Sequence, residues 1–171
     1  MLAEFGSVSV RPAGISDVAS MAALHLRAAT QGYRDIFPLD APALTHEALL
    51  GEWQDLFSKQ RAVILVAVIE SEVVGTVVLE RDDVDSSWWL KRLHVDPDYW
   101  GCGIGSMLHD EAVAAAWQQG VDRLDLWVLE KNDRARQMYE RRSWALVSGQ
   151  TLANDPPTVV DVRYTRAVIE T

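Results

Sequence analysis

The chain has 171 residues, of which 49% are hydrophobic and seven are tryptophan, enough for one folded domain over residues 1–171 with a substantial core. Sixteen basic against twenty-five acidic residues give a net charge of −9, which repels nucleic acid phosphates and anionic lipid and excludes both as expected partners. A single cysteine excludes an intrachain disulfide and a cysteine-rich metal site; no apolar run nears the roughly 20 residues that span a bilayer, and no signal-peptide pattern opens the chain, so a cytoplasmic protein is expected.

In chain order, Ser7 to Arg11 reads as a strand closed by Pro12. Ser16 is a candidate helix N-cap with Asp17 in the first turn, and Val18, Met21, Ala22, His25 and Ala29 come after it at helical spacing. His25 on that stripe reads as a packed histidine. Gly32, Pro38 and Pro42 break the next stretch before a second helix around Thr45 to Phe57. Its aromatics Tyr33, Phe37, Trp53 and Phe57 belong either to the core or to a substrate pocket. Ala62 to Ile69 and Val73 to Glu80 form a strand pair joined at Glu70, Ser71 and Glu72, the first apolar enough to be covered on both faces. The acidic patch at Asp82, Asp83 and Asp85 is a solvated turn or, at a pocket mouth, an attractor of ammonium groups.

A fourth strand runs through Leu90 to Val95 and is stopped by Asp96-Pro97-Asp98. In its approach, Trp88 and Trp89 point to opposite faces. Gly101, Gly103 and Gly105 then lead into a helix with apolar residues at Ile104, Leu108, Ala112 and Ala115. Glycines there let backbone N–H groups and the positive helix end converge on an anion. The loop lacks the lysine of a P-loop, and its G-x-G-x-G spacing is not the G-x-G-x-x-G of a dinucleotide fold. A plain strand-to-helix turn is the alternative. After Gly120 come a strand at Arg123 to Leu129, a helix opened by Asn132 that carries Ala135, Met138 and Tyr139 on one face, and two strands, Trp144 to Ser148 and Val159 to Arg166. A polar loop with Asn154, Asp155, Pro156 and Pro157 links the last two. The order β-α-α-β-β-β-α-β-α-β-β suits a mixed α/β sheet with helices on both faces.

The run Leu93-His94-Val95-Asp96-Pro97-Asp98-Tyr99-Trp100-Gly101-Cys102-Gly103-Ile104-Gly105 resembles the central motif of the GNAT acyltransferases. Asn132, Ala135, Tyr139 and Trp144 are similar to a second motif of that family. The two cover roughly the C-terminal half. Trp100 stands where Arg or Gln is usual, and Ser143 stands where a glycine is usual after the second motif's helix. The resemblance implies an α/β fold with a mixed, largely antiparallel sheet of about six to seven strands. It also implies acetyl-CoA (coenzyme A) as cosubstrate, no metal, and transfer of acetyl to a small-molecule or peptide amine by direct attack, in a monomer or homodimer.

The implied cofactor residues are Leu93, His94 and Val95, whose strand pairs with the pantetheine arm, and the N–H groups of Gly101, Cys102, Gly103, Ile104, Gly105 and Ser106, which hold the pyrophosphate. Asn132 is either a pantetheine ligand or a helix cap, and Arg134 either a phosphate ligand or an exposed helix arginine. Tyr139 matches the family's general acid, a phenol near pKa 10 giving a proton to a thiolate of conjugate acid near 8.5. Trp89 occupies the position where many relatives carry a basic glutamate, which leaves Glu80, Asp82, His94 or a water chain to take the amine proton. Tyr33, Phe37, Glu80 and Trp89 are the substrate candidates. Cys102 at a helix start has no neighbouring histidine, and direct attack needs no covalent intermediate. The competing reading is a non-catalytic acyl-CoA-binding or sensing module.

Overall fold

The computed structural model describes residues 6–59 and 61–169. Its elements are β1 (Val8–Pro12), α1 (Val18–Gly32), α2 (His46–Ser58), β2 (Ala62–Ile69), β3 (Glu72–Arg81), β4 (Trp88–Val95), α3 (Ile104–Gln118), β5 (Arg123–Leu129), α4 (Asp133–Glu140), β6 (Ala145–Ala153) and β7 (Val160–Ala167). Seven strands form one sheet in the order β1-β2-β3-β4-β5-β7-β6. Every neighbouring pair is antiparallel except β4 and β5.

Two cores sandwich the sheet. On one face α1 and α2 cover Ile64, Val66, Val68 and Val78, with Met21 and Trp53 fully buried. Trp53 and Phe57 therefore pack in or against this core and not in a pocket. On the other face Ile104, Leu108, Ala112 and Ala116 of α3 lie over Leu65, Ala67, Val77, Leu79, Leu90, Leu124 and Leu126. β2 buries residues on both faces, as its unbroken apolar run requires. Gly75 sets how closely α3 approaches: a Cβ there would stand 2.7 Å from Leu108 Cδ1 and 3.3 Å from Ile104 Cγ2. Any side chain at this position would push the helix off the sheet.

Local chemistry fixes the helix starts. Ser16 lies inside a short 3-10 turn, Ile15–Asp17, and does not cap α1. Asp17 stands at the N-cap position of α1 without a side-chain capping bond; its carboxylate turns back to accept from the Gly14 N–H (2.8 Å) and from both terminal nitrogens of Arg11 (2.7 and 2.9 Å). The Arg11 hydrogen bond holds the Asp17 carboxyl below the usual carboxylate range. Thr45 caps α2 through its hydroxyl, which accepts from the Ala48 N–H at 3.2 Å. Ser143, after α4, has φ +63°, the left-handed conformation in which glycine carries no penalty. Trp144 then enters the core ahead of β6 and donates its indole N–H to His109 Nε2 (2.8 Å).

Two irregularities shape the far end of β4. Arg92 has φ +52°, and the register against β3 slips between Thr76 and Val78, so the strand bulges there. The Thr76 hydroxyl braces the bulge by donating to the Arg92 carbonyl at 3.0 Å. β4 and β5 pair in parallel only at Trp88 with Leu124 and Trp89 with Asp125. Beyond those residues the two strands part, leaving the Leu93 to Val95 edge without a strand neighbour on that side.

Candidate active site

At the parted end of β4 the chain turns through a short 3-10 segment, Pro97–Tyr99, whose start is capped by Asp96 accepting from the Asp98 N–H (3.1 Å). Arg27 of α1 grips this turn through Asp96 (3.1 Å) and Asp98 (2.8 Å). Gly101 and Gly103 come next with φ +82° and +84°, conformations that L side chains rarely adopt. A Cβ on either would meet no atom within 4 Å, so both line open space. The first backbone bond back into α3 runs from the Met107 N–H to the Gly103 carbonyl (3.0 Å). The N–H groups of Ile104, Gly105 and Ser106 ahead of it have no intrahelical acceptor, and the positive helix end lies there.

These groups open on a groove of about 480 Å³ lined by Leu93, His94 and Val95, by Gly101, Gly103, Gly105 and Ser106, and by Asn132, Arg134, Ala135 and Tyr139 of α4 and its cap. The structure thus brings together most of the residues that the two motifs single out. Cys102 and Ile104 do not line it. Ile104 is 1% exposed in the core, and the Cys102 N–H donates to the Tyr99 carbonyl at 3.4 Å. Asn132 is at once a lining residue and a cap, its side-chain oxygen accepting from the Ala135 N–H at 3.2 Å.

Trp100 replaces the usual arginine or glutamine with a platform. Its indole N–H donates to the Val95 carbonyl at 2.7 Å, and the Arg134 guanidinium lies over its ring, 4.1 Å from the centroid. A cation therefore stands over the glycine turn after all, carried by α4. The indole also takes the Val95 carbonyl, one of the strand groups the resemblance gives to pantetheine.

Tyr139 is 7% exposed and packs against Trp144 and His109, with ring centroids at 5.7 and 6.4 Å. Burial, and then the nearby Tyr33 phenol, push its pKa above the ordinary value. Its hydroxyl has no hydrogen-bond partner among the described residues. It is a neutral phenol at any neutral pH, able to donate. Its raised pKa makes donation to a thiolate more uphill than in water unless desolvation in the same groove raises the thiol's pKa by at least as much.

A second cavity, of about 560 Å³, adjoins the first and shares Tyr33 with it. Phe37 lines it, together with Leu39, Leu44, Leu129 and His25. His25 stacks on His94 with centroids 4.0 Å apart and planes at 25°. Burial and then Arg92 lower the His25 pKa to about 4, and burial, His25 and Arg92 lower that of His94 as well. Both rings are neutral near pH 7.

Glu80 and Trp89 line neither cavity. Glu80 pairs with Lys91 (2.9 Å), while Trp89 stacks on Trp127 (6.0 Å) beneath the Arg163 guanidinium. Both sit nearer the paired end of β4, on the same sheet face as Leu129, since Glu80 registers with Trp89, Trp89 with Asp125, and Asp125, Trp127 and Leu129 alternate along β5. Asp82 is spent on its own turn, accepting from the Val84 N–H (2.7 Å), and Asp83 pairs with Arg61. The carboxylate that does reach the second cavity is Asp161 of β7, held by Asn154 (3.0 Å) and pushed up in pKa by burial. Its signal in the sequence is slight: one acidic residue alternating with valines in Val160-Asp161-Val162.

Amides without intrahelical acceptors at a helix start lie beside a strand edge opened by divergence from its parallel neighbour, the arrangement that the motif resemblance implies for an acyltransferase. Residues 27–144 match the pattern of the family described as Acetyltransferase (GNAT) family, and the chain belongs to that family. Among curated relatives, a mycothiol acetyltransferase of Propionibacterium freudenreichii is 41% identical over 33% of this chain and 18% of its own. An uncharacterized N-acetyltransferase of Archaeoglobus fulgidus is 31% identical over 49% of this chain and 60% of its own. The chain thus spans less than two thirds of the length of these relatives. The PaiA N-acetyltransferase of Thermoplasma acidophilum, solved in complex with coenzyme A, superposes with TM-score 0.72 at 20% identity, covering 94% of this chain and 99% of that one. YncA of Salmonella typhimurium, solved with acetyl-CoA, gives 0.75 at 12% identity over 97% and 96%. The two superpositions establish the fold.

Proposed function

We propose that this chain moves acetyl from acetyl-CoA to a primary amine of a small molecule or peptide by direct attack. The observation that carries the reading is the meeting of the two cavities at Tyr33: one holds the anion cradle and Tyr139, the other offers room for an acceptor. The pyrophosphate fits the open space beside Gly101 and Gly103, where amides and the α3 N-terminus converge and Arg134 adds a cation. The Leu93 end of the open strand edge serves the pantetheine arm. The amine nitrogen bonds to the acetyl carbon, the carbon–sulfur bond breaks, Tyr139 protonates the departing sulfur, and the nitrogen's surplus proton passes to water. Glu80 does not take the proton, because it is engaged by Lys91 and lies outside both cavities, and His25 and His94 are held at low basicity, so the proton leaves to water, directly or by way of Asp161 in the second cavity. Holding thioester and amine together in this way lowers the barrier by several kcal/mol.

Calorimetric titration with acetyl-CoA, then release of free CoA thiol in the presence of primary amines, tests the reading. Saturable acetyl-CoA binding with amine-dependent thiol release is expected. Failure of acetyl-CoA to bind overturns it.

A further inference from the structure

The second cavity has a composition that selects among amines. Its walls are Tyr33, Phe37, Leu39, Leu44 and Leu129; Asp161 is the one carboxylate among its described lining residues, and Arg34, an exposed residue, adds a cation that a multiply charged amine would have to meet. Leu39 is fully exposed and Leu44 is 42% exposed, so apolar surface is presented to solvent at this cavity. Asn154 donates to Asp161 Oδ2 at 3.0 Å, while Oδ1 has no hydrogen-bond partner among the described residues. One carboxylate oxygen is thus anchored and the other is left for a ligand.

We propose, resting on the transferase reading above, that this cavity is the acceptor site for a monoamine borne on an aromatic or apolar body, whose ammonium group is received by Asp161. A half-buried carboxylate attracts a cation more strongly than one in water, and an ammonium bound there gains a charge-assisted hydrogen bond. The apolar walls desolvate the rest of such a molecule. A polyamine or aminoglycoside brings several positive charges, and each beyond the first would be buried without a partner. The chain's acidic excess does not supply those partners, because Asp82 is tied into its own turn, Asp83 is paired with Arg61, and both line a different cavity. Burial, and then the Asp161 charge, raise the pKa of Tyr33, the residue shared by the two cavities, which puts that charge within electrostatic reach of the junction.

The test uses 2-phenylethylamine and spermidine as probes on the full chain. Calorimetry without acetyl-CoA should show 2-phenylethylamine binding at least about 10-fold tighter than spermidine, and Asp161→Asn should weaken it about 10- to 100-fold, the worth of a hydrogen bond to a charged group. Acetyl-CoA affinity should not change in that variant. Because Leu39 is exposed, Leu39→Glu should fold normally, add a second carboxylate to the lining, and narrow the gap between the two amines. Tighter binding of spermidine, or an Asp161→Asn affinity equal to that of the parent, overturns the proposal. Asp161-dependent amine binding in a protein that fails to bind acetyl-CoA upholds the cavity and removes only the transferase reading.

Discussion

Acidification should unfold this protein earlier than its carboxylates alone would require. His25, His94 and His109 are all partly or wholly buried, and burial is the leading cause of the lowered pKa of each. A histidine whose folded pKa lies below its unfolded value favours the native state fully above the unfolded pKa, near 6.5, and loses that contribution as pH falls toward the folded value. For His25 the window runs from about 6.5 to about 4. His109 must also give up the hydrogen bond from the Trp144 indole if Nε2 takes a proton. Each group steepens the stability curve by up to about 1.4 kcal/mol per pH unit, and three reach about 4, against a total stability of roughly 5–15 kcal/mol for a typical domain. Asp17 and Asp110, with lowered pKa, contribute above the ordinary carboxyl range and lose that only below about pH 4. Asp161, with raised pKa, is relieved on acidification and opposes the trend by one group. Urea melts at about pH 7.5, 6.5, 5.5 and 4.5 give the slope. A stability that is flat or rising from about pH 7 to 5 would refute the reasoning, and His109→Gln should reduce the slope by about one group's share.

Three further outcomes rest on particular residues. Gly103→Val, at φ +84° over open space, should cost on the order of 1–2 kcal/mol in stability and abolish detectable acetyl-CoA binding by calorimetry. Ser143→Gly should raise the urea midpoint by the equivalent of about 1 kcal/mol, because φ +63° carries a left-handed penalty that glycine lacks. Arg134→Ala should weaken CoA binding by about 1–2 kcal/mol, and Trp100→Leu should reproduce part of that loss by removing the platform under the guanidinium.

The alternation of apolar residues and the two motifs made the sheet, its four helices and the glycine turn readable, since local periodicity and turn chemistry write those features directly into the chain. Groups that depend on distant partners were not readable. Asp17 rather than Ser16 stands at the helix entry, with its carboxylate turned back to Arg11 and Gly14. The bulge at Arg92 depends on Thr76 from the adjoining strand. Trp100 stands where the family's arginine or glutamine is usual, and only the placement of α4 brings the Arg134 guanidinium onto its ring. His25 sits on α1 at core spacing and packs as that spacing implies, yet it also lines a cavity because β4 brings His94 beneath it. Asp161 reaches the acceptor cavity through the pairing of β7 with β5, a contact between residues far apart in sequence.

The central claim is that Tyr139 protonates the departing thiolate, and a single-turnover comparison of the parent with Tyr139→Phe tests it most directly. Phenylalanine keeps the ring packed against Trp144 and His109 and removes only the hydroxyl, which holds no partner that its loss would strand. With saturating acetyl-CoA and amine, the single-turnover rate should fall about 10²- to 10⁴-fold while CoA affinity and urea midpoint stay near the parent's. A Tyr139→Phe protein that acetylates amine at the parent's single-turnover rate would contradict the account.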